Sequence, residues 1–267
     1  MNDRTRLGAI ALLACAVAAS SAAAALRGTA APPTVSSTID GRKVLPLRLH
    51  WIARTSLAPA KVAEVDFLID GKVHWIEHHA PYNYASDEDG RNLGFLITTW
   101  LKPGIHRFGV RVVPAKGAPT TRTVSARVLP APAPPAALAG RWSRTVTEED
   151  LAKAGPDAPP GGRWELVFDH IGAWHLDPLG SGVVNQYDVA ANVLHVYAPI
   201  EMAPCNDDKC GISAYGHRSI GGHDCNFAGP FGSYRFAVSG DKLTLTAIHE
   251  RCPNRLAIWE GVWTRPK

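Results

Sequence analysis

The sequence lacks several features that would indicate common functional classes. Charged residues make up only 19% of the 267 residues and hydrophobic residues 46%, which excludes a disordered polyampholyte. No dense basic run with interleaved aromatic residues occurs, which argues against nucleic-acid binding. No nucleophile motif of the G-x-S-x-G type is present. We therefore predict a folded protein that binds no nucleic acid and has no cofactor.

Turn-forming residues are abundant and favour a β architecture in two domains. The chain has 24 glycines and 21 prolines, and its length fits two domains. The clearest boundary is the alternation of proline and alanine from Pro130 to Pro135, which favours a stiff polyproline II spacer. We predict a leader over 1–30, a first module over 33–130, a linker over 131–137 and a second module over 138–267.

The N-terminus has the pattern of an export signal. Arg4 and Arg6 precede an uncharged run from Leu7 to Ala25 that ends in small residues. The segment fits cleavage after Ala25 or Ala30. Lipidation at Cys15 and an uncleaved anchor are the alternatives. All three interpretations predict that the protein is secreted or extracytoplasmic.

Short alternating strands recur in the first module. Phe108, Val110 and Val112 alternate with polar residues, and Asp70-Gly71 is a strong hairpin signal. The segments VAEVDFLIDG over 62–71, APY over 80–82 and LKPGIH over 101–106 resemble bacterial immunoglobulin-like modules of secreted and cell-wall proteins. The resemblance implies a β-sandwich.

The second module has eight predicted strands in meander order, enough to close an up-and-down barrel. Thr147 is predicted to cap one short helix, and the last strand is predicted over 257–264. Gly140-x-Trp142 and the segments GSYRF (232–236), CPNR (252–255) and WTR (263–265) resemble lipocalin-like, or calycin, domains of exported actinobacterial proteins. We expect an all-β chain: an immunoglobulin-like sandwich followed by an eight-stranded lipocalin-like barrel.

The lipocalin resemblance also implies how the barrel is closed. The tryptophan of G-x-W plugs the closed end in that pattern, and an arginine lies across its ring. The resemblance therefore assigns Trp142 to barrel closure, with Arg265 or Arg255 as the arginine.

Four cysteines follow the leader, an even number that predicts two disulfides in an exported chain. Cys205 and Cys210 enclose a short polar loop, and we predict that they pair. Cys225 and Cys252 would then link the outer ends of one hairpin. A zinc site at Cys205 and Cys210 is the alternative, but no second closely spaced cysteine pair supports it.

The histidine-rich stretch at His74 and His78 does not favour a metal site. On a strand the two residues would lie roughly 13 Å apart, too far to share one zinc ion. We expect these histidines on the solvent face and predict no metal site.

The segment over 199–232 is long and has little hydrophobic periodicity, which favours a functional or pinned loop. It holds His217, His223 and Asp224, and Glu250 follows at the end of a later strand. These residues could form an acid–base site. They carry the alternative hypothesis, a calycin-fold enzyme.

The lead hypothesis is an exported, non-catalytic binding protein. Trp164, Phe168, Tyr234 and Phe236 would line a cavity that holds a small apolar ligand. If these side chains fill the barrel instead, a structural or interaction role follows. The first module has 13 Lys/Arg against 8 Asp/Glu, and a net charge of +5 favours contact with anionic cell-wall polymers or a membrane surface.

Overall fold

The two modules form a β-sandwich-like domain and a closed β-barrel, which confirms the predicted all-β class. The computed structural model describes residues 32–85, 94–154, 158–180, 182–200, 232–250 and 252–267. Among these residues, no helix has the length and apolar character needed to span a bilayer.

The described part of the first module contains nine strands arranged in three sheets. The main sheet has the order β2-β9-β8-β5-β6, and two small sheets pair β1 with β4 and β3 with β7. A 3₁₀ turn spans Pro59–Lys61. The strands are β1 Val35–Ser37, β2 Val44–Leu45, β3 Arg48–Leu49, β4 Ala53–Thr55, β5 Val62–Ile69, β6 Lys72–Glu77, β7 Leu96–Ile97, β8 Gly104–Pro114 and β9 Thr120–Val128.

Packed aromatic rings form part of the core of this module. The ring of Trp51 meets Phe67 at 4.9 Å and Phe108 at 5.7 Å, both edge-on. Asp70 and Gly71 have φ values of +51° and +83°, as the predicted Asp-Gly hairpin turn between β5 and β6 requires. The alternation in β8 therefore buries one face of the sheet on these rings.

The second module is an eight-stranded antiparallel barrel, closed by pairing of its first and last strands. Each strand pairs with the next one along the chain. The elements are β10 Gly140–Val146, α1 Glu148–Leu151, β11 Gly162–Phe168, β12 Ala173–Leu176, β13 Gly182–Ala190, β14 Val193–Pro199, β15 Gly232–Ser239, β16 Lys242–Glu250, α2 Pro253–Trp259 and β17 Gly261–Thr264.

Helix α1 begins as its sequence predicts. The Thr147 hydroxyl accepts the Asp150 N–H, and the Asp150 carboxylate accepts the Thr147 N–H. This reciprocal pair satisfies two backbone donors at the helix start.

The last strand is shorter than predicted, because Pro253–Trp259 forms a second helix and β17 begins only at Gly261. Pro253 suits the first helical turn, where a backbone N–H has no partner in any case. The helix buries Arg255, Ile258 and Trp259. Burial of this face explains why a segment with strand-like composition becomes helical.

The histidine-rich stretch forms strand β6 rather than a helix, as expected. His74 is nevertheless buried, at 5% exposure, so its predicted position on the solvent face is wrong. Its ring lies 5.4 Å from that of Trp100, and this packing accounts for the burial.

Candidate ligand-binding cleft

A cleft of about 530 Å³ lies between the two modules, with the proline-rich linker along one side. The sandwich, the linker and, from the barrel, strand β13 and the turn between β11 and β12 all contribute to it. Its lining consists of Pro46, Leu47, Arg48, Thr99, Pro132, Ala133, Pro135, Asp169, His170, Ile171, Gln186, Tyr187, Asp188 and Val189.

Arg48 connects the sandwich to the barrel wall. Its Nη1 donates to Gln186 Oε1 at 2.6 Å and lies 3.6 Å from Asp188 Oδ2. Its guanidinium carbon lies 3.3 Å from the centroid of the Tyr197 ring. Strand β3 therefore presents its arginine to three groups on β13 and β14.

An apolar contact beside the cleft holds the modules together. Ile97 of the sandwich is buried against Val184 and Ile200 of the barrel. The Thr99 hydroxyl donates to the Ile171 carbonyl at 2.6 Å. Because these contacts bury apolar surface and satisfy polar atoms, the walls of the cleft are held in place without a ligand.

The floor of the cleft is a turn organised by Asp169. One carboxylate oxygen accepts the N–H groups of Ile171 and Gly172 at 2.8 and 3.0 Å, and the other accepts Trp174 Nε1 at 2.9 Å. Burial, together with the charge of Asp169, raises the pKa of the nearby Tyr187 phenol. This phenol therefore stays protonated and remains a hydrogen-bond donor.

A second polar cluster lies inside the barrel. Arg255 donates from Nε and Nη2 to the two Glu250 oxygens at 2.8 and 2.7 Å, and the Tyr234 hydroxyl also donates to Glu250. Arg255 and Glu250 have side-chain exposures of only 5% and 1%. A Cβ at Gly232 would lie 2.2 Å from Glu250 Oε2, so glycine at this position gives the carboxylate its room.

His175 lies near this cluster as a neutral side chain. Burial and the positive charge of Arg255 lower its pKa from 6.5 to about 3. Its ring is 5.9 Å from Trp259, and its Nδ1 has no hydrogen-bond partner among the residues that the structure describes. The imidazole therefore acts as part of the barrel core rather than as a charged group.

The aromatic residues predicted to line a ligand cavity lie within the barrel. Trp164, Phe168 and Tyr234 are buried in its core, and Phe236 packs against them half-buried. The structure brings these four residues together, but the cleft is lined by other residues. Their role in ligand binding stays a prediction.

The two candidate closure arginines occupy different places. The Arg265 guanidinium lies 4.1 Å from the Trp142 ring centroid and donates to the Ala139 carbonyl at 3.0 Å. Trp142 itself donates from Nε1 to Leu138 at 2.8 Å. Arg255 instead pairs with Glu250, as described above. The geometry therefore assigns the stacking position to Arg265.

Several predicted site residues lie outside the described residues. They are His217, His223 and Asp224 of the enzyme hypothesis and Cys205, Cys210 and Cys225 of the disulfide prediction. Cys252 is described and is buried at the N-cap of α2. The disulfide pairing stays a prediction.

Sequence patterns did not identify the residues of the cleft. Arg48, Asp169 and Asp188 are separated by up to 140 positions and belong to no common motif. One local signal was available for Arg48, because it stands between Leu47 and Leu49 in a strand-like run. An arginine in such a run needs a partner, but the run does not indicate which one.

Comparison with known proteins gives little further information. No protein-family model and no curated protein matches the chain. A fibronectin(III)-like module of Clostridium thermocellum CbhA is 22% identical with a TM-score of 0.27, covering 36% of this chain and 96% of that chain. The endo-β-1,4-mannanase of Thermotoga petrophila is 13% identical with a TM-score of 0.29, covering 37% and 20%. Likeness this weak carries no functional argument.

Proposed function

We propose that this protein is an exported, non-catalytic binding protein that holds a small ligand in the cleft between its two modules. The cleft of about 530 Å³ carries the proposal. Small-molecule sites commonly measure about 300–1,000 Å³ and favour domain interfaces.

The lining supports a ligand with an apolar body and one polar group. Pro46, Leu47, Pro132 and Val189 offer apolar surface. Asp188, with 45% of its side chain exposed, offers a carboxylate at the edge. A ligand that donates a hydrogen bond to this carboxylate fits the lining.

The interior of the barrel supports a scaffold role for that module. Trp142, Trp164, Trp259 and Trp263 are each 0% exposed in the barrel core. Because these side chains fill the barrel core, the ligand would bind in the cleft between the modules and not inside the barrel. This packing also favours the second candidate function, an interaction protein with a filled barrel.

Among the residues of the enzyme hypothesis, Glu250 lies in the described part of the chain, and its surroundings do not favour catalysis. Glu250 is enclosed and accepts hydrogen bonds from Tyr234 and Arg255. A carboxylate held in this way by a neighbouring cation is a poor general base, because it is already bound and shielded from substrate.

Native mass spectrometry of the protein purified from its own host tests this proposal. We expect a small molecule to be retained by the wild type and lost from the variant Ala133→Trp, in which an indole fills the cleft. Ala136→Trp is the matched control, because Ala136 is exposed in the same linker and lies outside the lining. Retention in both variants would place the ligand elsewhere. Absence of any small molecule after solvent extraction would contradict the proposal.

A further inference from the structure

Three large apolar side chains are exposed at one end of the main sheet of the sandwich. Val44, Ile105 and Leu129 are 45%, 60% and 46% exposed. Arg127 of β9 pairs with Val44 of β2 on one side and with Ile105 of β8 on the other. Val44, Arg127 and Ile105 therefore form one row across three neighbouring strands, about 10 Å wide. Leu129 directly follows β9.

The row lies on the outer face of the sheet. Leu45 and Val128 form the next pair between β2 and β9, and both are buried at 1% exposure. Because successive side chains of a strand point to opposite faces, Val44 and Arg127 point away from the core. The apolar residues on this face therefore do not contribute to the interior of the sandwich.

Unpaired positive charge surrounds the apolar side chains. Arg107 and Arg127 are exposed, and neither forms an ion pair with any residue in the part of the chain that the structure describes. Lys43 and Lys102 are also exposed. Both lie close to the patch, because the Arg127 N–H donates to the Lys43 carbonyl and the His106 ring is hydrogen-bonded to the Lys102 carbonyl. The carboxylate of Asp70 is bound by His106 and by the Arg107 backbone N–H.

We propose that this patch, consisting of Val44, Ile105, Arg107, Arg127 and Leu129, docks the protein onto an anionic lipid surface. Arginines bind lipid phosphates, and basic residues near such a surface gain attraction from its negative potential. Apolar side chains beside them enter the boundary between headgroups and acyl chains. A soluble anionic polymer would satisfy the arginines but would leave the three apolar side chains in water.

The patch is separate from the ligand-binding cleft. None of its five residues contributes to the lining of the cleft. Docking on lipid can therefore be tested independently of the proposed ligand.

Co-sedimentation of the full chain with vesicles tests the role of charge. We expect tighter binding to vesicles that contain about one third phosphatidylglycerol than to pure phosphatidylcholine. The variant Arg107→Gln/Arg127→Gln should bind the anionic vesicles roughly 25-fold more weakly, about fivefold for each arginine. The control Arg54→Gln/Lys116→Gln removes the same charge from exposed positions outside the patch. Every variant keeps residues 1–32, so their contribution cancels in the comparison.

A second pair of variants tests the apolar contribution. Ile105→Ser should weaken vesicle binding about fivefold by removing an inserted side chain. Ile248→Ser is the matched control on the barrel, at 51% exposure. Equal binding by the arginine variant and its control would overturn the proposal. A second pair of results would also overturn it: Ile105→Ser has no effect on vesicle binding, and the arginine variant loses binding both to vesicles and to soluble polyphosphate. Together these results would indicate a soluble anionic polymer as the partner.

Discussion

Each module contains an ion pair between an arginine and a buried carboxylate, but the two arginines differ in burial. In the sandwich, Arg111 Nε lies 2.5 Å from Asp66 Oδ2, and the arginine side chain is 40% exposed while the carboxylate side chain is only 1% exposed. In the barrel, Arg255 and Glu250 are 5% and 1% exposed and are joined by Tyr234. The guanidinium of the sandwich pair reaches solvent, whereas that of the barrel pair is enclosed. We therefore expect the barrel to depend on charge and pH, and the sandwich to depend mainly on packing.

The largest expected effect is that of Arg255→Met. This change leaves the Glu250 carboxylate buried without its cation, which should lower the free energy of unfolding by about 3–5 kcal/mol. Urea denaturation measures the loss. The double variant Glu250→Gln/Arg255→Met should recover part of it, because no buried charge remains. A loss no greater than that of Arg111→Gln in the sandwich would contradict the comparison.

The next effect concerns closure of the barrel. Arg265→Ala removes the guanidinium that stacks on Trp142 and bonds the Ala139 carbonyl, and should cost about 1–2 kcal/mol. The midpoint of urea unfolding measures this change. Arg163→Ala is the control, because that arginine is largely exposed and lies 3.9 Å from its carboxylate. Equal shifts in the two variants would show that the stacking contributes nothing.

The pH dependence of stability separates the modules further. Because the pKa of His175 falls from 6.5 to about 3 on folding, only the unfolded state binds this proton between those values. The free energy of unfolding should therefore fall as the pH drops below about 6.5, by about 1 kcal/mol between pH 6.5 and 5.5. Urea unfolding of His175→Phe at both pH values should show a smaller slope. An unchanged slope would mean that His175 is not the group responsible.

The smallest expected effect is that of Arg111→Gln in the sandwich. The glutamine amide can still donate to the buried Asp66 carboxylate, and water can reach the position that the guanidinium vacates, so the cost should be only about 1 kcal/mol. Denaturation in low and high salt provides the measurement, since screening should reduce the difference between wild type and variant. A cost equal to that of Arg255→Met would show that burial does not distinguish the two pairs.

Local patterns in the sequence predicted much of the fold. The alternation around Phe108 predicted a half-buried strand, the pair Asp70-Gly71 predicted a hairpin turn, and Thr147 predicted a helix cap. Each of these features depends on residues within a few positions of one another, so a short segment contains all the information that it needs. The strand predicted over 257–264 was wrong in its first half, because burial of Trp259 in the barrel outweighed local preference.

What the sequence by itself determined is therefore the all-β class of the fold and the meander order of the strands in the barrel. The domain boundary at the proline-rich linker stays a prediction. Only the tertiary structure placed Arg48 against Gln186 and paired Glu250 with Arg255. The cleft likewise could not be predicted from the sequence, because folding brings together lining residues that are far apart along the chain. They are residues 46–48, 99, 132–133, 135, 169–171 and 186–189. The physical reason is that strand and turn preferences act over a few residues. Pairing of buried charges and packing between modules depend instead on distances that the closed barrel and the packed sandwich set.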